Sequence, residues 1–374
     1  MNLKTFKLGG VHPPESKISE KEAIRSMTLP KQVSIMLSQH LGVPAAPIVQ
    51  KGDKVKVGTL IARGEAFISA NIHSSVSGTV LKIDDVLDAS GYKKKAIVIN
   101  VDGDEWEESI NRSEKLIEEC RLSPDEIIEN IKNAGIVGLG GAAFPSHVKY
   151  MFPEGKSADT LVINGVECEP YLTSDHRIMI EKADEILVGV HIMMIAGKVD
   201  RAIIGIEANK PDAIQVLADK AKKHKGIEIV PLKVQYPQGA EKQLIKSVLN
   251  REIPSGKLPL DVGCIVNNIG TALAVYEAIQ KNKPLVERVV TLTGKKLKKT
   301  ANFMVRIGTP VSDLMTELGE ELPDDTSKII SGGPMMGKAV SSMDIPVTKG
   351  TSGILLMDKS EAKRVSPKNC IRCG

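Results

Sequence analysis

The sequence predicts an α/β protein in which a parallel sheet covered by helices follows an all-β unit and precedes a small α+β unit. Strand and helix signals alternate between residues 110 and 285, which is typical of a parallel sheet with helical connections. Residues 1–105 instead contain short runs of valine and isoleucine separated by glycine turns, which indicate hairpins. A chain of 374 residues is also longer than one hydrophobic core usually serves. The predicted domains are 1–105, 106–288 and 289–345, followed by a tail over 346–374.

The first unit contains two strand-rich halves, APIVQKGDKVKVGTLIARG and NIHSSVSGTVLKI. Together they resemble the barrel-sandwich fold of biotinyl and lipoyl domains. Carrier domains of that type present a lysine at a hairpin tip, but no lysine occurs from Val57 through Leu81. We therefore expect a structural or docking role for this unit.

The central block begins with an acidic stretch, residues 113–135, that is predicted to be helical. Within it Ser123, Pro124 and Glu126 have the spacing of an N-cap, a first-turn proline and a capping box. Further strands are predicted at 160–165, 201–207, 227–233 and 264–268, with helices at 183–197, 211–224, 239–249 and 271–279. The third block is predicted to contain strands at 288–294, 302–308 and 328–333 and a helix at 311–319. The tail from residue 346 onward is expected to be poor in strands.

Composition argues against several classes of function. The net charge is +4 and aromatic residues make up 3% of the chain, which supplies neither the basic surface nor the stacking groups of a nucleic-acid-binding protein. The longest apolar stretch, residues 186–197, is too short to span a bilayer, and the first residues lack the apolar core of a signal peptide. Docking onto a membrane partner stays open. Five cysteines, an odd number, argue against a disulfide framework and favour a reducing cytoplasm.

A glycine cluster, GLGGAAFP over residues 138–145, follows the acidic stretch. Glycines let a backbone approach a ligand closely and present N–H groups to anions. The spacing matches neither the dinucleotide-binding fingerprint nor a phosphate loop that ends in GK[ST]. Contact with a cofactor and a tight turn between two elements are therefore both open. Lys149 follows closely enough to reach a ligand, or to be an ordinary surface lysine.

Polar residues follow the first predicted strand of the sheet, in VINGVECEP. Asn164, Glu167 and Glu169 would lie at the carboxyl end of this strand, where ligands bind in parallel sheets. A solvated turn with two glutamates is the alternative. Cys168 is expected to be a packed thiol, since no histidine partner is identifiable and His176 is merely the nearest candidate.

Two further strand ends carry similar groups. Asn267 and Asn268 end a strand, and Thr271 lies at the start of the next helix. A helix N-terminus flanked by two amides and a hydroxyl suits a phosphate, although simple capping explains one or two of these residues. The segment YPQGAEKQLI places Gly239 at another turn of this kind. Three such strand ends in one sheet favour a phosphate-bearing ligand.

The last residues contain a C-x-x-C pair, Cys370 and Cys373. Such a pair can be a redox couple, half of a zinc site or the start of an iron–sulfur motif. A 4Fe–4S motif needs two further cysteines. These residues alone therefore do not complete a cluster, and we expect the chain to be truncated.

Taken in order, the motifs resemble the RnfC family. The resemblance rests on GIVGLGGAAFPSHVK, VINGVECEPYLTSDHRIM, YPQGAEKQLI, NNIGTALAVYEAI, RVVTLTG, SGGPMMG and CIRCG, together with the opening GGVHPPESK. This family is the NADH-side subunit of the Rnf complex, a membrane-bound, ion-translocating ferredoxin:NAD oxidoreductase. The match runs along nearly the whole chain. The middle is more distantly similar to the flavin-bearing, NADH-oxidising subunit of respiratory complex I.

The resemblance implies a Rossmann-like flavin domain after the barrel-sandwich domain, and then a soluble-ligand-binding β-grasp domain at 289–345. The implied FMN contacts are Gly138, Gly140, Gly141, Lys149, Asn164, Glu167, Tyr236, Gly239, Asn267, Asn268 and Thr271. The implied NAD(H) contacts are Phe144, Glu169 and Glu241. Cys370 and Cys373 would bind a 4Fe–4S cluster in the full-length protein, and we expect the clusters to be absent from this chain.

The implied activity is electron transfer between NAD(H), FMN and 4Fe–4S clusters, coupled to ion translocation by partner subunits. The expected partners are NADH, the other membrane subunits of the Rnf complex and a ferredoxin-side electron-transfer subunit, with no nucleic acid. The protein would lie peripherally at the cytoplasmic face of the cell membrane and would supply no catalytic nucleophile.

Three positions depart from the complex I pattern. Leu139 replaces an arginine and is the usual residue in RnfC-like chains, so it favours Rnf over complex I. Ala143 replaces the last glycine of the loop, and Ala240 replaces a glutamate. Two other functions stay open: a cobalamin reductase of the propanediol-utilisation type, and a non-catalytic adaptor that docks partners through its β-rich units.

Overall fold

The computed structural model describes residues 3–363, 366 and 369. Its N-terminal unit contains two small antiparallel sheets, as the short strand signals predict. Both sheets contribute to one apolar core, which includes Val33, Ile61, Ile72 and Ile99. The strands up to residue 101 are β1 (Ile24–Ser26), β2 (Gln32–Met36), β3 (Ala46–Pro47), β4 (Lys54–Val55), β5 (Leu60–Arg63), β6 (Ile72–His73), β7 (Gly78–Leu87) and β8 (Lys93–Val101). One sheet has the order β2-β8-β7-β4 and the other β3-β5-β6, while β1 joins a different sheet.

The central unit is a parallel four-stranded sheet with helices on both faces. Its strands are β9 (Thr160–Asn164), β10 (Ala202–Glu207), β11 (Ile227–Leu232) and β12 (Cys264–Asn268), in the order β11-β10-β9-β12. Its helices are α1 (Pro124–Asn133), α2 (Ser174–Glu181), α3 (Ala183–Gly197), α4 (Pro211–Ala221), α5 (Glu241–Leu249) and α6 (Ile269–Lys281). Leu161 and Ile163 face the core made with α1, α3 and α6, whereas Val162 faces the core made with α5. All four predicted strands are confirmed.

Two parts of the central prediction differ from the structure. Residues 113–122 are not helical, although the capping box of Ser123 and Glu126 does begin α1. The non-helical segment lies against α6, where Lys281 donates hydrogen bonds to the carbonyls of Ser113 (3.0 Å) and Lys115 (2.5 Å). Its backbone is therefore partly satisfied by a neighbouring helix. Helix α2, in turn, was not predicted.

The third unit is a six-stranded mixed sheet packed against one helix. Its elements are β13 (Glu287–Thr293), β14 (Ala301–Arg306), α7 (Val311–Leu318), β15 (Thr326–Ser331), β16 (Lys338–Val340) and β17 (Gly353–Asp358), and the strand order is β1-β14-β13-β17-β15-β16. The expectation that the chain from residue 346 onward is poor in strands is wrong, because β17 is buried between β13 and β15. The sheet also takes β1 from the first predicted domain. Neither strand lies within the predicted range 289–345.

The N-terminal segment, residues 3–26, contacts the central sheet and the six-stranded sheet before the chain enters the first unit. Lys4 pairs with Leu232 and Val11 with Tyr236 at the edge of the central sheet. Strand β1 then pairs with β14. Residues 3–26 therefore support the central and third units, although the sequence predicted them to be part of the first.

Two buried cations join the three units near the glycine cluster. The Lys349 ammonium, from the third unit, donates to the carbonyls of Asn71 (2.8 Å) and Gly135 (2.7 Å), and burial lowers its pKa to about 7. The Arg288 guanidinium donates to the carbonyls of Leu139 (3.3 Å) and Lys349. The position of the glycine cluster thus depends on all three units. In the part of the chain that the structure describes, no helix has the length and apolarity needed to cross a bilayer.

Candidate functional site

The carboxyl ends of β9 and β12 lie side by side, because Asn164 and Asn268 are register partners in the sheet. The Asn268 side chain caps α6, since its Oδ1 accepts the Gly270 N–H (2.8 Å). The Asn164 amide donates to the Gly239 carbonyl (2.7 Å). Two strand ends, the start of α6 and the turn at Gly239 are therefore brought together, as the sequence predicts.

Asn267 presents a buried acceptor at this strand end. Its Nδ2 donates to the Tyr150 hydroxyl (3.0 Å), while its Oδ1 has no hydrogen-bond partner among the described residues. Burial raises the pKa of Tyr150, so that hydroxyl stays neutral. Buried side-chain oxygens rarely lack a partner, and each exception calls for a water, an ion or a ligand. The Asn267 oxygen therefore marks where a donor from a bound molecule would be accepted.

The glycine cluster forms a closed loop over the start of α6. The Gly138 N–H donates to the Phe144 carbonyl (2.8 Å), and Val137 bridges to Pro145. The Leu139 N–H donates to the Thr271 hydroxyl (3.0 Å), which ties the loop to the helix.

The top of this loop has left-handed backbone at two positions. A Cβ placed on Gly140 would make an ordinary contact, 3.4 Å from the Asn268 side chain. Gly141 has a φ of +109°, a conformation that side chains disfavour. Ala143, where the complex I pattern has glycine, has a φ of 50° and so occupies the left-handed region at some cost.

Lys149 lies in the short 3-10 helix, Ser146–Tyr150, that follows this loop. Its ammonium donates to the Val266 carbonyl (2.5 Å), and burial lowers its pKa, opposed by the charge of Glu241. Glu241 is the first residue of α5 and is exposed. Phe144 is half-buried in the chain leaving the loop. The lysine is therefore a largely buried cation at the carboxyl end of β12, where a phosphate group would be stabilised.

The Glu167 carboxylate is used within the protein. It accepts the Asp175 N–H (2.7 Å) and the His176 N–H (3.2 Å), and so caps the start of α2. Its own φ is 48°. Those two bonds use about two of the four lone-pair sites of the carboxylate, so the flavin contact that the resemblance implied would share the carboxylate with them.

Asp175 is a buried acid that sequence reasoning did not identify. Burial and the neighbouring Glu167 raise its pKa to about 7, opposed by the hydrogen bond from the Asn268 amide (2.7 Å) and by the charges of Arg288 and Lys210. It belongs to the unpredicted helix α2, and nothing in its local sequence distinguishes it from a surface residue.

Two lysines, which sequence reasoning also missed, hold the loop after β9. The Lys17 ammonium donates to the carbonyls of Glu167 (2.8 Å), Glu169 (2.9 Å) and Leu172 (2.7 Å). The Lys210 ammonium donates to the Val166 carbonyl (2.8 Å). Burial, reinforced by the charge of Lys210, lowers the pKa of Lys17 to about 8.

The Glu169 carboxylate points toward the third unit and is half-buried. It accepts the backbone N–H groups of Met335 (3.0 Å) and Met336 (2.7 Å). Burial raises its pKa, and these two hydrogen bonds oppose the rise. Tyr236 exchanges two backbone hydrogen bonds with Val11, both 2.8 Å, at the same edge of the site.

Cys168 is a packed thiol, as expected. Its sulfur accepts the Gly239 N–H (3.4 Å), and burial raises its pKa to about 11. His176 bonds instead to Asp212 (2.7 Å). Cys370 and Cys373, the predicted cluster ligands, lie outside the described residues.

The fold and the site define a mononucleotide-binding α/β protein, and two family models match it. The Nuo51 FMN-binding domain matches residues 131–277. The RnfC barrel sandwich hybrid domain matches residues 4–104, which confirms the barrel-sandwich fold of the first unit.

Several curated proteins are similar along the whole chain. The sequence is 47% identical to the C subunit of the proton-translocating ferredoxin:NAD(+) oxidoreductase complex of Clostridium ljungdahlii, over 100% of this chain and 80% of that protein. It is 43% identical to the C subunit of the Na(+)-translocating complex of Acetobacterium woodii (100% and 84%). It is 40% identical to the C subunit of the ion-translocating oxidoreductase complex of Rhodobacter capsulatus (100% and 72%). The chain belongs to the family of these C subunits, so the resemblance to RnfC is confirmed.

A solved structure shares the fold. An NAD+-reducing [NiFe]-hydrogenase in its H2-reduced state aligns with a TM-score of 0.55 and 20% identity, over 64% of this chain and 47% of that one. At this identity the likeness supports the α/β architecture alone.

Proposed function

We propose that this chain is the NADH-side electron-transfer subunit of a ferredoxin:NAD(+) oxidoreductase and that it binds FMN where β9, β12, α6 and the glycine loop meet. One observation carries the proposal. The buried Asn267 oxygen has no partner among the described residues, and Asn267 directly precedes Asn268, the residue that caps the N-terminus of α6. An acceptor beside anion-binding donors suits a flavin mononucleotide, in which ribityl hydroxyl donors lie next to the phosphate.

The residues present fit this cofactor. The N-terminus of α6 and the N–H groups of Gly140 and Gly141 would supply donors for a phosphate, and Lys149 would supply a positive charge. The small residues of the loop leave room for a ligand to approach the backbone. Of the residues implied to bind FMN, Asn164 and Glu167 would also shape the loop, since their side chains are hydrogen-bonded within the protein.

When bound, FMN would take two electrons from a hydride donor and release them singly to one-electron carriers. The chain would bind and orient both partners and exclude water. Lys17 and Lys210 hold the loop after β9, and Phe144, Glu169 and Glu241 are proposed to meet the nicotinamide nucleotide. No nucleophile is required, which agrees with the raised pKa of Cys168.

The test is anaerobic mixing of the chain with FMN and then NADH. Loss of the oxidised-flavin absorbance faster than in FMN and NADH without the protein would support the proposal. Bound FMN that NADH fails to bleach would contradict it. Tests with cob(II)alamin as acceptor would separate it from the cobalamin reductase alternative.

Asn267→Ala is expected to weaken FMN binding about 10- to 100-fold, because it removes a buried hydrogen bond to the ligand. Titration of flavin fluorescence quenching would measure the affinity. Asn130→Ala, on the exposed face of α1, is the matched control and should bind as the unchanged chain does. Equal affinity in both variants would mean that the Asn267 oxygen is not part of the flavin site.

We further propose a β-grasp fold for the third unit. The order β14-β13-β17-β15-β16 with α7 between β14 and β15 supports a β-grasp unit, to which β1 adds an edge strand. We propose 4Fe–4S ligation by Cys370 and Cys373, docking to membrane subunits of the complex and to a ferredoxin-side subunit, and a peripheral place at the cytoplasmic face of the membrane. The names of the relatives, which describe subunits of translocating complexes, support the docking.

A further inference from the structure

The turn between β15 and β16, residues 332–337 with the sequence GGPMMG, is here called the methionine turn. The motif that contains this turn, SGGPMMG, has no role in the function proposed above. In the structure the turn lies across the loop that follows β9. Its Met335 and Met336 N–H groups donate to different oxygens of Glu169, Oε2 (3.0 Å) and Oε1 (2.7 Å). The third unit therefore holds both oxygens of a carboxylate that belongs to the central unit.

The turn fits closely against this carboxylate. A Cβ placed on Gly333 would overlap the Glu169 carboxyl group, and one on Gly337 would overlap the Gly333 carbonyl. Gly332 has a φ of 104°. The glycines thus permit both the shape of the turn and its contact with the acid.

Glu169 is fixed from its other side as well. Lys17 donates to the Glu169 backbone carbonyl (2.9 Å), so neither the backbone nor the carboxylate can move freely. A carboxylate has about four lone-pair sites, and the turn uses two of them. The rest can accept hydrogen bonds from a ligand without a rearrangement of the side chain.

We propose that the methionine turn is a positioning element of the dinucleotide site: it holds Glu169 ready to accept a hydrogen bond from the amide or a ribose hydroxyl of the nicotinamide nucleotide. This inference rests on the proposed function, in which Glu169 meets that nucleotide. It gives the third unit a direct part in substrate binding. Met335 (41% exposed) and Met336 (76% exposed), whose backbone N–H groups contact the acid, have side chains that offer polarisable surface to a planar ring.

Gly333→Ala tests the inference in the FMN-loaded chain. The added methyl group must displace the turn or the Glu169 side chain, and either shift breaks their contact, so binding of NAD+ measured by calorimetry and the KM for NADH should both worsen about tenfold. The affinity for FMN and kcat at saturating NADH should change less than about twofold. Gly91→Ala is the control for an added methyl group and for local backbone strain: Gly91 lies in the turn between β7 and β8 with a φ of 79°, and a Cβ there would meet nothing within 4 Å.

Other results would overturn the inference. Unchanged NAD+ binding would show that the turn does not act on the site, and tighter binding would show that it competes with the nucleotide. If Gly333→Ala does not retain FMN, Glu169→Gln is the second test of the inference. This variant keeps the size of the side chain and removes its charge. An NAD+ affinity equal to that of the unchanged chain would refute the inference. Failure of the unchanged chain to bleach with NADH would instead reject the proposed function, so the two failures are distinguishable.

Discussion

Lys17→Met is expected to lower the free energy of unfolding by about 3 kcal/mol and to weaken FMN binding at least about tenfold. The ammonium of Lys17 satisfies three carbonyls of the loop after β9, those of Glu167, Glu169 and Leu172. Methionine fills a similar volume but donates no hydrogen bond, and each buried carbonyl left unpaired costs about 1 kcal/mol or more. The loosened loop carries Glu167, which caps α2, and Glu169, which contacts the third unit.

Urea unfolding and flavin titration measure the two effects. Lys21→Met is the control, because Lys21 is exposed and lies four positions away in the same segment. It should change the free energy of unfolding by less than about 0.5 kcal/mol. A Lys17→Met protein as stable as its Lys21→Met counterpart would show that the three carbonyls find other partners and that the Lys17 ammonium is not needed to hold the loop.

Asp175→Asn is expected to stabilise the protein at neutral pH and to flatten its dependence on pH. The pKa of Asp175 is raised from 3.8 to about 7, first by burial and then by Glu167. The folded protein therefore holds a proton that the unfolded chain releases. Its contribution to stability is complete below about pH 4 and is lost as the pH rises through 7. The loss amounts to roughly 2–4 kcal/mol, and asparagine, which does not ionise, avoids it.

The measurement is the free energy of unfolding at a series of pH values between 4 and 8. Asp200→Asn, at an exposed position, controls for the general effect of removing a carboxylate. The difference between Asp175→Asn and the unchanged protein should grow with pH, while the Asp200 difference stays small. A constant difference for Asp175→Asn would mean that this acid is ionised across the whole range. Glu167, Arg288, Lys210 and the Asn268 amide all face this carboxyl group, and they are unchanged in the comparison.

The strand ends that the sequence correctly predicted to lie together are encoded locally. A buried strand followed by asparagine or glycine indicates where the strand ends, and parallel strands place their carboxyl ends at one edge of the sheet. That reasoning brought together Asn164, Gly239, Asn268 and Thr271, which the structure places around the start of α6. The capping box of α1 is local in the same sense.

The parts that were missed depend on distant partners. Lys17 acquires its role from a loop about 150 residues away, and no spacing within its own segment indicates this. Strand β17 is a short buried run without alternation, so its sequence does not distinguish it from an irregular apolar segment. Helix α2 is short, and the residue that caps it, Glu167, lies outside the usual N-cap position.

The path of residues 3–26 has a consequence for how the protein is made. This segment leaves the ribosome before its partners do, because Ile24 pairs with Asn302 and Lys17 binds the loop that contains Glu167. Contacts between positions so far apart in sequence form late and slowly. During synthesis residues 3–26 therefore stay without these partners until the central and third units have emerged. Insertion of the flavin would accordingly follow translation of the third unit, and nascent chains stalled before β14 would remain empty of cofactor.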